Sequence, residues 1–293
     1  MTITAPANFS LHRTINSHGW YDLPPFSANA ALTELTAVVS LSKAKHLHLR
    51  ITQKDRTLHL TPLNKVRLTR TEQERVKNIV RSMLRMDEPL EEFYALCRKE
   101  PHLRWVPKKQ AGRMLRSATA FEDVVKTLFT TNCSWALTKI QTENLVKKLG
   151  TPLGNGVFSF PTPDRIAGVT ERWLRKELSC GYRAPYLLEL CRAITKKQRD
   201  VEMLRHMPGP TQEVYDALTS MKGIGHYAAG NLLKLLGRYD HLGIDSWVRT
   251  KFAEQHRNGR KVTKDDVIER HYDRYGRWRG LVCTMEVTAD WHV

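Results

Sequence analysis

The feature that most restricts the fold is a change of hydrophobic period near residue 69. Between Trp20 and Leu68 the chain runs in short alternating segments, of which KHLHLRITQ and RTLHLTP are the clearest. Apolar side chains at every second position, mixed with β-branched and polar ones, suit a half-buried sheet. From Thr69 the period becomes helical. TRTEQERVKNIVRSMLRM opens with a Thr/Glu capping pattern and sets Val76, Ile79, Val80, Met83 and Leu84 on one side of a helix. An α+β chain follows, with an antiparallel β-rich N-terminal domain and a mainly helical remainder. The expected division is 1–110, β-rich with linking helices, and 111–293, the helical core.

Downstream, FEDVVKTLFTTNCSWALTKIQTENLVKKLG reads as one long amphipathic helix, or as two divided near Thr131 to Ser134, with Gly150 as the stop. Residues 171 to 205 continue helical, with an interruption at Gly181. Short helices punctuated by glycines fill the stretch from HMPGPTQEV to TKFAEQH, and a further helix begins near Thr263. No repeat at solenoid spacing is present.

Charge narrows the partners. The 293 residues carry 47 Lys and Arg against 30 Asp and Glu, a formal +17. That length suits two modest domains, and a 41% hydrophobic content is enough for a packed core. Seventeen excess positive charges repel one another in the compact state, which favours a polyanionic partner, nucleic acid ahead of an anionic membrane. No window approaches 18 uncharged apolar residues, and the N-terminus lacks a secretion pattern. Cys97, Cys133, Cys180, Cys191 and Cys283 form no CxxC and no close Cys/His cluster, so they read as buried thiols in a reducing cytosol. The spacing of His46, His48 and His59 argues against a metal site there. No metal and no cofactor are expected.

The sharpest local feature is DALTSMKGIGHYAAGNLLKLLG, two helices joined through Gly223-Ile224-Gly225. A tight turn with Ile224 inward would expose backbone N–H groups beside a helix N-terminus, where a phosphate can sit. The same hairpin can serve packing alone. Twenty residues after Gly225 comes Asp245, inside Ile244-Asp245-Ser246-Trp247-Val248. Its carboxylate can cap a helix. It can also stay ionised there, stabilise developing positive charge and orient or deprotonate a water.

MKGIGHYAAGNLLKLLG followed by GIDSWVR resembles the signature of the helix-hairpin-helix DNA glycosylases. AFEDVVKTLFTTNCSWALTKIQTENLVKKLG is similar to the opening helices of that superfamily, and LSCGYRAPYLLELCRAI to the segment before its hairpin. Together these cover roughly residues 110 to 290. The β-rich region resembles the extra domain of the 8-oxoguanine and 3-methyladenine branches, while the lack of a C-terminal cysteine quartet argues against the iron–sulfur branches.

The resemblance implies that Asp245 is the essential aspartate and that the place of the lyase amine is held by Tyr227, which has no route to a Schiff base. A monofunctional enzyme is implied, with water as nucleophile and Lys222 as a substitute amine in the alternative. It implies a polar wedge at Asn132, or simply a helix break, and stacking surfaces at Trp135, Tyr227 and Trp247, or core aromatics. Lys222, Gly223, Gly225, His226, Arg183 and Arg249 are the expected DNA-backbone contacts. Tyr275, Arg277, Trp278 and Arg279 either close the pocket or finish the core, packing being favoured. The implied partner is double-stranded DNA with a damaged or mismatched base, an alkylated purine first, bound by a cytoplasmic, nucleoid-associated monomer without membrane contact. A bifunctional oxidised-base glycosylase/lyase and a non-catalytic damage-binding protein are the competing readings.

Overall fold

The computed structural model describes residues 1–292, which divide into two compact units. Each unit takes two separate stretches of chain: Met1–Glu88 with Arg113–His206, and Pro89–Gly112 with the chain from Met207 on.

In the first unit, strands β1 (Thr2–Thr4), β2 (Ser27–Ala28), β3 (Glu34–Ser40), β4 (His46–Lys54) and β5 (Thr57–Pro62) form one sheet in the order β1-β5-β4-β3-β2. Every pairing is antiparallel. Leu35 faces Ile51, Ala37 faces Leu49 and Ile51 faces Leu60, and all five are at most 1% exposed. A one-residue slip would turn this apolar face to solvent, so burial fixes the register. His46 shares a hydrogen bond with Ser40 Oγ at 2.8 Å, and His59 lies exposed opposite Thr52. His46, His48 and His59 form no ligand set among the described residues.

Helix α1 (Arg70–Met83) begins with the expected capping box. The Glu72 N–H donates to Thr69 Oγ1 at 3.2 Å and the Thr69 N–H donates to the Glu72 carboxylate at 2.8 Å. Val76, Val80 and Met83 are fully buried, with Ile79 half-buried. The next helical stretch is two helices, α2 (Ala120–Thr130) and α3 (Trp135–Leu149), with Gly150 at the end of the second. The expected amphipathic character fails for α2, which is buried from Ala120 through Phe129. Its charges are paired inside: Lys126 Nζ lies 2.7 Å from Glu122 Oε1, and Asp123 accepts from Trp20 Nε1 at 2.9 Å and from Arg205 at 3.0 Å. Burial still pushes the Glu122 carboxyl upward, partly offset by Lys126. Helix α4 (Arg183–Thr195) completes the set that matters here.

The second unit carries α5 (Thr211–Thr219), α6 (His226–Leu236), α7 (Ser246–His256), α8 (Asp265–Tyr272) and α9 (Arg279–Val287). Leu233, Phe252, Ile268, Tyr272, Leu281 and Met285 supply its core. Tyr275 and Trp278 are buried, and Trp278 stacks on Tyr239 at 5.5 Å, so this aromatic pair finishes the core. Among the described residues no helix is long and apolar enough to cross a membrane.

Candidate active site

The site is built on the turn between α5 and α6. The Ile224 N–H donates to the Met221 carbonyl at 3.0 Å, and the Ile224 side chain is 4% exposed, which anchors the turn inward. Gly223 has φ +86°, a left-handed conformation that a Cβ would strain. Gly225 is different. Its backbone is extended, with φ −90° and ψ −173°, and apart from its chain neighbours nothing lies within 4 Å of where a Cβ would stand. Glycine is therefore not demanded by the protein's own packing at this exposed position; it leaves backbone uncovered at the start of α6. No side chain caps that N-terminus, so its partial positive charge faces outward. Lys222 and His226 flank it, both exposed. His226 meets the Tyr215 hydroxyl at 3.1 Å and stands 3.4 Å from Glu269 Oε1. Tyr227, in the first turn of α6, is half-buried.

Asp245 is brought beside α6 by two glycines. A Cβ on Gly230 would lie 2.5 Å from the Leu242 carbonyl oxygen, and one on Gly243 would lie 2.6 Å from Asn231 Nδ2. Only bare backbone permits this approach between α6 and the segment leading to Asp245. Leu242 and Ile244, each 3% exposed, fix that segment from within. Asp245 itself is half-buried at the N-cap of α7, and its Oδ1 accepts the Val248 N–H at 2.8 Å. The capping role is thus present, and it holds the carboxylate at a defined place.

One residue that the motif reading missed is Lys234. It lies buried on α6, two turns beyond Tyr227, with its Nζ donating to Thr284 Oγ1 at 3.2 Å. Burial pulls its amine below the ordinary lysine value, while the nearby Cys283 and Asp245 act in the opposite direction. The available signal was a single lysine within the leucine run LLKLL.

Trp247 is 43% exposed, 6.2 Å from Trp291 and with Lys251 over its ring at 5.2 Å. Arg249 makes a bidentate pair with Asp265 at 2.7 Å in both arms, so a phosphate would have to compete with that carboxylate. The hairpin, Tyr227, Asp245, Trp247 and Arg249 therefore belong to one unit.

Asn132, Trp135 and Arg183 belong to the other. Asn132 is exposed with φ +47°, and its Nδ2 donates to the Tyr182 hydroxyl at 3.3 Å. Arg183, expected at a phosphate, is 4% exposed and donates to the Thr131 carbonyl, with its guanidinium 4.6 Å from the Tyr182 ring centre. It braces the turn that carries Asn132. Trp135 is 38% exposed; its indole N–H donates to Asp22 at 3.2 Å and its ring lies over Gly19, where a Cβ would come within 2.5 Å.

No family model and no curated protein matches the sequence. Solved structures do. A 3-methyladenine DNA glycosylase from Archaeoglobus fulgidus superposes with a TM-score of 0.78 at 21% identity, covering 100% of this chain and 99% of that one. The apo form of an 8-oxoguanine glycosylase/lyase from Clostridium acetobutylicum gives 0.76 at 16% identity, covering 99% and 95%. A DNA-3-methyladenine glycosidase from Bacillus halodurans gives 0.51 at 18% identity, covering 68% and 88%. The β-sheet and the helical remainder with its glycine hairpin thus give this chain the fold of those DNA glycosylase structures.

Proposed function

We propose that the protein is a monofunctional DNA glycosylase that flips a damaged base, an alkylated purine first, out of duplex DNA and hydrolyses its N-glycosidic bond. The observation that carries this reading is Asp245, fixed at the α7 N-cap beside the helix whose start is the uncovered Gly225 turn. In this reading the turn takes a backbone phosphate on its amides, with Lys222 adding charge and His226 a ring nitrogen beside it. Flipping costs a few kcal/mol of stacking, which Asn132 offsets by filling the gap.

As the base departs, positive charge develops on the sugar, and the Asp245 carboxylate stabilises it and directs a water to C1′. Tyr227 stands where a lyase amine would, and its phenol offers stacking surface instead. The exposed ring of Trp247, in the same unit as Asp245, suits a cationic base, whose glycosidic bond is already weakened. The protein acts as a monomer.

A lyase reading has one observation in its favour: Lys234, whose buried amine sits within electrostatic reach of Asp245. Duplexes carrying alkylated, oxidised, deaminated and mismatched bases, analysed with and without alkali, separate the readings. The proposal predicts base release with strand breaks only after alkali and no borohydride-trapped adduct. A trapped adduct that disappears in Lys234→Met establishes the lyase, and no release from any duplex leaves a binding protein.

A further inference from the structure

We propose that the C-terminal end of α7 carries a structural site for a divalent transition-metal ion of the zinc class, formed by His256, His271 and Glu286, with His102 as fourth ligand. These residues come from four places in one unit: the end of α7, α8, α9 and the helical turn Pro101–Leu103. The donor atoms of His256, His271 and Glu286 all lie within 4.8 Å of one another. His256 Nε2 is 3.1 Å and His102 Nε2 is 3.5 Å from Glu286 Oε1. Tetrahedral bonds of about 2.0–2.2 Å require ligand atoms roughly 3.3–3.5 Å apart, so the two separations from Glu286 Oε1 already fit, a pair as far apart as 4.8 Å must close by about 1.3 Å, and exposed His102, outside that group of three, must swing in to complete the set.

The alignment of the donors is more telling than their distances. His256 Nε2 makes no hydrogen bond despite standing 3.1 Å from a carboxylate oxygen, and His271 Nε2 is likewise buried without a hydrogen-bond partner. A ring nitrogen and a carboxylate oxygen at contact distance without a hydrogen bond between them leave both available to one ion. The surroundings orient the set. Tyr272 donates its hydroxyl to Glu286 Oε2 at 2.5 Å, which occupies that oxygen and leaves Oε1 toward the histidines. Glu100 lies 3.9 Å behind His102 Nδ1, on the side away from Glu286, and His256 and His271 hold their rings 4.2 Å apart.

Two imidazoles and a carboxylate completed by a third imidazole make a nitrogen- and oxygen-rich set suited to zinc, and four protein ligands leave no open position, so the ion is structural. A cation there also meets the negative end of the α7 dipole. It would lock to α8 and α9 the far end of the helix whose N-cap is Asp245, about 16 Å away along the axis.

The test uses the full-length chain, stripped with chelator and dialysed against zinc chloride or cobalt(II) chloride. The proposal expects one zinc per chain by elemental analysis, visible tetrahedral bands with cobalt, and a thermal midpoint raised by zinc. His256→Ala and His271→Ala should each weaken zinc binding roughly tenfold or more and abolish the thermal response. His59→Ala, exposed on β5, should behave as wild type. A wild-type chain that retains no zinc and shows no cobalt bands overturns the proposal, without any variant needing to fold. Zinc bound as tightly by the His256→Ala/His271→Ala double variant overturns it too.

Discussion

At Gly230 the absence of a side chain positions another residue, because α6 touches the Leu242 carbonyl through it and thereby sets where Asp245 stands. Gly230→Ala should cost about 1–3 kcal/mol in chemical denaturation, since a Cβ at 2.5 Å from a carbonyl oxygen forces the backbone apart. Base release should slow as well, and unchanged stability would mean that the contact yields freely. Lys234 makes a different prediction. Its folded-state value is lowered by burial, so below that value the charged amine opposes folding in full. As pH rises from there toward the ordinary lysine value of about 10.4, the unfolded chain holds the extra proton and stability increases. Lys234→Met removes this term. The variant should be more stable than wild type at neutral pH, with the gap narrowing in alkaline melts; a gap that widens contradicts the assignment. Asp245 and the hairpin glycines were legible because their signal is local and short. Lys234 showed only as an anomaly among leucines, and the burial of Arg183 beneath the Asn132 turn depends on packing that no local pattern records.

Among the elements, β4, β5 and α1 were read correctly because periods of two and of 3.6 residues directly reflect one buried face. The α2 helix was misread for the same reason. Glu122, Asp123 and Lys126 occupy positions that look like a solvated face, yet each is buried with a partner. Whether a charge faces water or a partner far along the chain is decided by tertiary structure. Lys126→Ala should therefore cost about 3–5 kcal/mol in urea denaturation, far more than an exposed lysine, because it strands Glu122 in the interior. The double change Lys126→Met with Glu122→Leu should recover most of that loss. Equal losses in the single and double variants would show that the ion pair is not the cause.

For the whole molecule, composition favoured a polyanionic partner, while the interleaving of two chain stretches in each compact unit was not legible, since it rests on pairings distant in sequence. A chain with a formal +17 should bind undamaged duplex through released counterions. Its affinity should fall linearly on a logarithmic salt scale, by about 0.9 per phosphate engaged, and a flat salt profile would remove the electrostatic part of the account. The central claim concerns one carboxylate. Asn caps a helix as well as Asp does, so Asp245→Asn keeps the α7 cap while removing the charge. Single-turnover base release from an alkylated duplex, measured beside thermal stability, should fall at least about a hundredfold while stability changes by less than about 1 kcal/mol. Release at the wild-type rate by a stably folded Asp245→Asn would contradict the account.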